Sequence, residues 1–125
     1  MSVSENKALV RRYSDAISGK EKPAAVVDQF IADADALLKQ HIAGYEASFP
    51  RYALEEEDLI AEGDKVVLRF TFRATYAGGF MNIPATGQQV AMPGIIIYRI
   101  ADGKIVEHWM EVNSGALMQG LGVQA

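Results

Sequence analysis

The fold is decided by one stretch of the chain, Val66-Val-Leu-Arg-Phe-Thr-Phe-Arg-Ala-Thr-Tyr76. Its apolar residues alternate with polar ones, at the period of two that is typical of a strand with one buried face. The apolar side chains must turn towards a core, whereas Arg69 and Arg73 face outward. The inward residues are Val66, Leu68, Phe70 and Phe72.

Three further strands are predicted on either side of this one. Residues 54–61 precede it across Gly63-Asp64, and residues 88–99 follow it after a glycine-rich loop. Asp102-Gly103 is typical of a tight hairpin turn and leads into residues 104–112. The pattern therefore predicts an antiparallel succession of strands.

Helices are predicted before the strands. Residues 4–18 carry apolar side chains at three- and four-residue spacing, and this amphipathic helix ends near Gly19. A second helical pattern runs from Pro23 to Tyr45, either as one long helix or as two with a break at residues 32–35, and Pro50 ends it. We expect the last residues to form a short helix. Helices followed by strands indicate an α+β fold in a single domain, 1–125, with the helices on one face of the sheet.

Composition excludes several classes of function. The chain has 125 residues, half of them apolar, with 12 Lys and Arg against 16 Asp and Glu. This mildly acidic balance gives no footprint for nucleic acid or for an anionic membrane. The chain has no cysteine, which excludes disulfides and thiolate chemistry. No apolar run approaches the length of a membrane span, and we expect a cytoplasmic protein.

Three stretches resemble one family when they are taken together. They are Glu5-Asn-Lys-Ala-Leu-Val-Arg-Arg-Tyr13, Gly79-Phe-Met-Asn-Ile-Pro-Ala-Thr-Gly87 and Tyr98-Arg-Ile-Ala-Asp-Gly-Lys-Ile-Val-Glu-His-Trp109. In order and spacing they are similar to the SnoaL-like polyketide cyclases of the nuclear transport factor 2-like superfamily. The resemblance implies a cone-shaped fold, in which a strongly curved, antiparallel-rich sheet carries the N-terminal helices on its concave face around a small-molecule pocket.

The resemblance also implies a chemistry, which this chain does not fully match. Family cyclases close a ring by aldol condensation without metal or organic cofactor, using an aspartate two residues after the histidine of Glu-His-Trp. That position is Met110 here, and the family's Gln and His on the preceding strand correspond to Gly94 and Ile96. The family is also longer between Lys22 and Pro50, where it has an extended piece, so we expect a smaller, more open or partly filled pocket.

The last strand presents two different faces. Alternation places His108 and Met110 inside and Trp109 outside, where Trp109 is expected to anchor a homodimer through the outer sheet face. His108 is then the best candidate for a catalytic base, since imidazole exchanges protons near neutral pH. The alternative is a structural histidine that is hydrogen-bonded to a backbone carbonyl or a tyrosine. Tyr13 and Tyr98 could supply hydroxyls to a substrate carbonyl or simply pack.

Three functions are compatible with this pattern. The first is a cofactor-free cyclase- or isomerase-type enzyme with His108 as base, acting on a small enolisable ketone or ester. The second is a non-catalytic protein that binds an apolar metabolite or serves as a dimeric accessory subunit. An enzyme with another inward carboxylate, such as Asp15 or Asp58, is a third option. We expect the pocket to take a small apolar or ketone-bearing molecule and to be lined by Tyr13, Ile17, Phe70, Phe72, Met92, Ile96, Tyr98 and Met110.

Overall fold

The structure, a computed structural model, describes residues 2–123. Its first helix, α1 (Val3–Ile17), begins at a capping box in which the backbone N–H of Glu5 donates to Ser2 Oγ and that of Ser2 donates to the Glu5 carboxylate, each at 3.1 Å. The apolar stripe of α1 is buried and ends at Ile17. The predicted first helix is therefore confirmed.

The second helical pattern is broken, as one of the two alternatives predicted. It consists of α2 (Ala24–Phe30), a single 3₁₀ turn at Asp33–Asp35, and α3 (Ala36–Ser48). At the break, Ile31 forms an isolated parallel bridge with Ile105, and the N–H of Ala32 donates to the Ile105 carbonyl at 2.9 Å. This bridge is an extended element between the helices and ties the 3₁₀ turn to the last strand.

Four antiparallel strands follow in the spatial order of the sequence. They are β1 (Ala53–Glu62), β2 (Lys65–Thr75), β3 (Gln89–Ala101) and β4 (Lys104–Val112). A short helix, α4 (Ser114–Gly120), is the last element in the described residues. The alternation of β2 is confirmed, because Val66, Leu68, Phe70 and Phe72 are each at most 3% exposed. The sheet is open, and the core lies between its inner face and the helices.

A buried lysine fixes the loop between α1 and α2. Lys22 Nζ lies 2.8 Å from the Glu46 carboxylate and 3.9 Å from the centroid of the Tyr52 ring. It also donates to the backbone carbonyls of Lys20 and Tyr52. Burial lowers the pKa of Lys22, and Glu46 counteracts that shift. All three donors of the ammonium have partners, so this group joins α3 to the start of β1.

Within residues 2–123, no helix is both long and apolar enough to cross a bilayer.

Candidate functional site

A small cavity lies between α3 and the inner face of the sheet. Its volume is about 40 Å³, which is room for about three water molecules. The walls are almost entirely apolar or aromatic. They consist of Tyr13, Leu38, His41, Ile42, Tyr45, Tyr52, Leu54, Phe70, Phe72, Met92, Ile96, Tyr98, Met110 and Val112.

All but one of the residues expected to line the pocket lie on this wall. The exception is Ile17, which is 0% exposed in the core and does not border the cavity. It lies one helical turn beyond Tyr13, where the end of α1 packs against the start of β1. There the backbone N–H of Leu54 donates to Ser18 Oγ. Ile17 therefore supports the wall from behind. Whether the other residues bind a ligand stays a prediction.

His108 points inward, and its ring lies within hydrogen-bond distance of the Asp35 carboxylate. Its Nδ1 lies 2.7 Å from Oδ2 and 3.0 Å from Oδ1 of Asp35. The two side chains are 5% and 6% exposed. An ionised carboxylate can only accept, so Nδ1 carries the hydrogen and Nε2 keeps its lone pair in the neutral ring. The partner is thus a carboxylate rather than the carbonyl or tyrosine of the structural alternative.

The position of Asp35 follows from the break between the helices. Asp35 is the N-cap of α3, and its Oδ1 accepts the backbone N–H of Leu38 at 3.1 Å. The bridge between Ile31 and Ile105 holds this turn beside β4. Asp35 therefore satisfies a helix terminus and orients His108 at the same time.

Two buried tyrosines flank this pair. Tyr98 lies opposite His108 in the register of β3 and β4, and the Tyr13 ring packs edge-on against it with 5.8 Å between centroids. Burial raises the pKa of Tyr13 and of Tyr98, and the Asp35 charge adds to both shifts. Both hydroxyls consequently keep their protons and can act as neutral hydrogen-bond donors.

The next positions along the same two strands are apolar. Ile96 pairs with Met110, and Gly94 pairs with Val112. Phe70 fills the space above Gly94, because a Cβ built there would lie only 2.6 Å from the Phe70 ring. The Phe70 ring therefore takes up part of the space at this end of the pocket.

The third functional option depends on where the side chains of two carboxylates lie. Asp15 and Asp58 are both exposed, so the option of an inward carboxylate at either position is wrong. Asp35 is the carboxylate that lies beside His108, and the sequence pattern predicted only that it falls in a break between helices. A signal for it existed, since Asp35 precedes Leu38 by three residues and Ile42 by seven and therefore shares their apolar stripe.

The two histidines and Trp109 lie in different places relative to the cavity. Within residues 2–123, His41 lines the cavity and His108 does not, and the sequence pattern had predicted no role for His41. Trp109 lies on the outer face and is 44% exposed. Nowhere in residues 2–123 do three or more His, Asp or Glu side chains form a group suited to a metal ion.

The comparisons with known proteins agree with this architecture. A family model, described as SnoaL-like polyketide cyclase, matches residues 8–121. The chain belongs to this family. Its predicted α+β, nuclear transport factor 2-like architecture is thereby confirmed, as is the coarser expectation that the protein is of a small-molecule-binding family. Among curated proteins, none matches the chain.

Three solved structures are similar to this chain over nearly its whole length. AclR from Streptomyces galilaeus, a proposed hydroxylase, is 31% identical with a TM-score of 0.84, over 97% of this chain and 83% of AclR. TsrD from Streptomyces laurentii is 24% identical with a TM-score of 0.83, over 99% of both chains. A proposed polyketide cyclase from Acidithiobacillus ferrooxidans is 22% identical with a TM-score of 0.80, over 99% of this chain and 100% of the other.

Proposed function

We propose that the protein is a cofactor-free enzyme that moves a proton on a small enolisable ketone or ester, in the manner of a cyclase or an isomerase. The observation that carries this proposal is the buried contact of 2.7 Å between His108 Nδ1 and the Asp35 carboxylate. A carboxylate in this position orients the imidazole and stabilises the imidazolium formed when the ring accepts a proton. Such a pair is a competent general base.

The proposed reaction begins at His108. Its Nε2 removes a proton from the carbon next to the substrate carbonyl, and the C–H electron pair becomes part of an enolate. The hydroxyl of Tyr98 or Tyr13 donates to the carbonyl oxygen, which stabilises its growing negative charge. In a cyclase, the enolate carbon then bonds to a second carbonyl carbon and the new alkoxide takes the proton back from His108. In an isomerase, the proton returns to a different carbon.

The base is displaced by two residues from the position that the family resemblance implies. Met110 stands at the place of the family aspartate, and His108 lies on the same inward face of β4. Since His108 lies behind the cavity wall, a substrate must first displace a side chain that covers it. Met110 is suited to this, because its unbranched side chain has three rotatable bonds and adapts to new surroundings.

The similar proteins do not fix the reaction by themselves. AclR is a proposed hydroxylase, whereas the protein from Acidithiobacillus ferrooxidans is a proposed polyketide cyclase. Since one fold can carry different chemistries, the function must be argued from the site. The proposal for this chain rests on Asp35, His108 and the two tyrosines.

Hydrogen exchange at carbon tests the proposal without a known substrate. Cyclic ketones and lactones that raise the melting temperature are incubated with the protein in D₂O, and loss of the proton next to the carbonyl is followed by NMR. We expect catalysed exchange for at least one ligand and a loss of about 100-fold or more in His108→Gln, since general-base catalysis contributes about 10²–10⁴. Unchanged exchange in His108→Gln would show that His108 is not the base.

A second function is favoured by the small volume of the cavity. A space of about 40 Å³ is far below the roughly 300 Å³ of an ordinary ligand site, and the cap on α3 gives Asp35 a structural purpose. A non-catalytic protein for an apolar metabolite would have these properties. The same exchange experiment separates the two functions, because ligands that bind without any catalysed exchange support the binding protein.

We also propose a homodimer through the outer face of the sheet. An apolar row crosses all four strands there, because Ile60 pairs with Val67, Val67 with Ile97, and Ile97 with Trp109. Ile60 is 57% exposed and Trp109 is 44% exposed. A second copy would bury this row, with Trp109 as anchor. Analytical ultracentrifugation should find a dimer that Trp109→Asp converts to monomer, and a monomeric wild type would contradict the proposal.

A further inference from the structure

His41 lies where two hollows of the molecule meet. It borders the inner cavity, and it also borders a surface hollow of about 300 Å³ whose other walls are Gly44, Tyr45 and Phe80. His41 and Tyr45 are the residues that both hollows share. A molecule that passes from solvent to the inner cavity by this route must therefore pass the imidazole of His41.

The two histidines of the site differ in how far their nitrogens are engaged. His108 Nδ1 is held by Asp35. The ring nitrogens of His41 have no hydrogen-bond partner within residues 2–123, and the ring meets that of His108 edge-on with 5.9 Å between centroids. His41 can thus both donate to and accept from a ligand without breaking an existing contact.

The surroundings of His41 restrict the kind of ligand. Tyr45 packs on Phe72 with 5.4 Å between ring centroids, and Phe80 packs on Phe49 at 6.1 Å, so the passage is lined by aromatic rings. The Tyr76 hydroxyl fixes the loop that carries Phe80 by accepting its N–H at 2.9 Å. A polar group beside an aromatic surface is complementary to an apolar ring compound with one oxygen atom.

We propose that His41 is the specificity residue of this site, and that it binds the hydroxyl or carbonyl oxygen of a largely apolar ring compound. This role of His41 adds a specificity residue to the proposed function. It rests on that function in one respect, namely that the cavity receives a small molecule. It assigns binding and orientation to His41 and leaves proton transfer to His108.

The chain has two histidines, which makes a direct experiment possible. In ¹⁵N-labelled protein the two imidazoles give separate signals, and the spectrum of His41→Gln assigns them. 2-Naphthol is the probe, and naphthalene, which lacks the oxygen, is its matched control. We expect 2-naphthol to shift the ring nitrogen signals of His41, with naphthalene shifting them much less.

Two variants measure the contribution of the hydrogen bond. His41→Phe should weaken 2-naphthol binding about fivefold, as expected for the loss of one hydrogen bond, and should leave naphthalene binding unchanged. His41→Gln should retain most of the affinity, because its amide can still donate and accept. Equal loss for both probes would indicate a packing role only and would overturn the proposal.

The remaining outcomes are also decisive. Absence of 2-naphthol binding, or binding that shifts only His108, would overturn the role of His41. Because no turnover is measured, success here is compatible with failure of the exchange experiment, in which case His41 would serve a binding protein. Conversely, catalysed exchange that is lost in His108→Gln but insensitive to His41→Phe would leave the proposed enzyme standing without this residue.

Discussion

Two neighbouring levels of the same pair of strands differ sharply in chemistry. At the first level, Tyr98 faces His108, which is held by Asp35. At the second level, one alternation further along each strand, Ile96 faces Met110, and the next pair is Gly94 and Val112. The first level is polar and contains the contact between His108 and Asp35, whereas the second is apolar.

The difference shows what allows an ionisable group to be buried in this fold. His108 is tolerated because the break between α2 and α3 brings a carboxylate within 2.7 Å of it, which offsets the cost of desolvation. Met110 has only apolar and aromatic neighbours along the cavity wall. A carboxylate at position 110 would have no such partner, because the Nδ1 hydrogen of His108 is already bonded to Asp35. The chemistry of the site is therefore confined to the level that α3 can reach.

Removal of the carboxylate should break the polar level. Asp35→Ala leaves His108 buried without its partner and the Leu38 N–H without its cap. We expect a loss of about 3–5 kcal/mol in the free energy of unfolding, measured by urea denaturation followed by circular dichroism.

Asp33 offers a matched control in the same 3₁₀ turn. Its side chain is fully exposed and its partner is Lys39, so Asp33→Ala should leave the free energy of unfolding almost unchanged, because exposed ion pairs contribute little. A similar small loss in Asp35→Ala would mean that the contact between Asp35 and His108 contributes little.

Placing a carboxylate at the apolar level tests the other half of the comparison. Met110→Asp should reduce the free energy of unfolding by about 3 kcal/mol at pH 7, since an unpaired carboxylate is desolvated there. The apolar surroundings should raise the pKa of the introduced carboxyl above its unfolded value. The folded state then binds the proton more tightly, so the loss should shrink as the pH falls from the folded-state pKa towards about 4.

Met110→Asn is the control, because its amide does not titrate. The difference in stability between the two variants should decrease on acidification. A difference that stays constant from pH 7 to pH 4 would show that the side chain at this position faces solvent, contrary to the packing described above.

Gly94 tests how tightly the apolar level is packed. In Gly94→Ala the new Cβ would lie 2.6 Å from the Phe70 ring and 2.9 Å from Val112. We expect a loss of about 2 kcal/mol from this overpacking. Gly44→Ala in α3, where nothing lies within 4 Å of the new Cβ, should instead raise stability by about 0.5–1 kcal/mol. Equal effects of the two substitutions would contradict the close contact with Phe70.

Much of the fold could be predicted because its signals are local. The alternation in β2 and the helical spacing in α1 each depend on neighbouring residues, and both assigned the buried faces correctly. The site was only partly accessible in this way. Strand alternation turned His108 inward, but its partner Asp35 is 73 positions away, and their contact depends on how a break between two helices docks on β4. Periodicity carries no information about such docking. It correctly predicts that Ile17 is buried, but it does not say which buried residues border the cavity.

The smallest effect concerns the hydroxyls of the polar level. Burial raises the pKa of Tyr98 above the value of about 10 that it has in the unfolded chain. Above pH 10 the unfolded chain releases a proton that the folded protein keeps, so stability falls as the pH rises, by about 1.4 kcal/mol per pH unit for each such tyrosine. In Tyr98→Phe, the free energy of unfolding should fall less steeply between pH 10 and 11 than in the wild type, because one such tyrosine is absent. At pH 8 the hydroxyl is neutral in both the folded and the unfolded state, so a comparison at that pH measures the effect of the substitution without titration. An unchanged slope in urea denaturation would mean that the Tyr98 hydroxyl reaches solvent, and it would then be no better a donor to a substrate carbonyl than water.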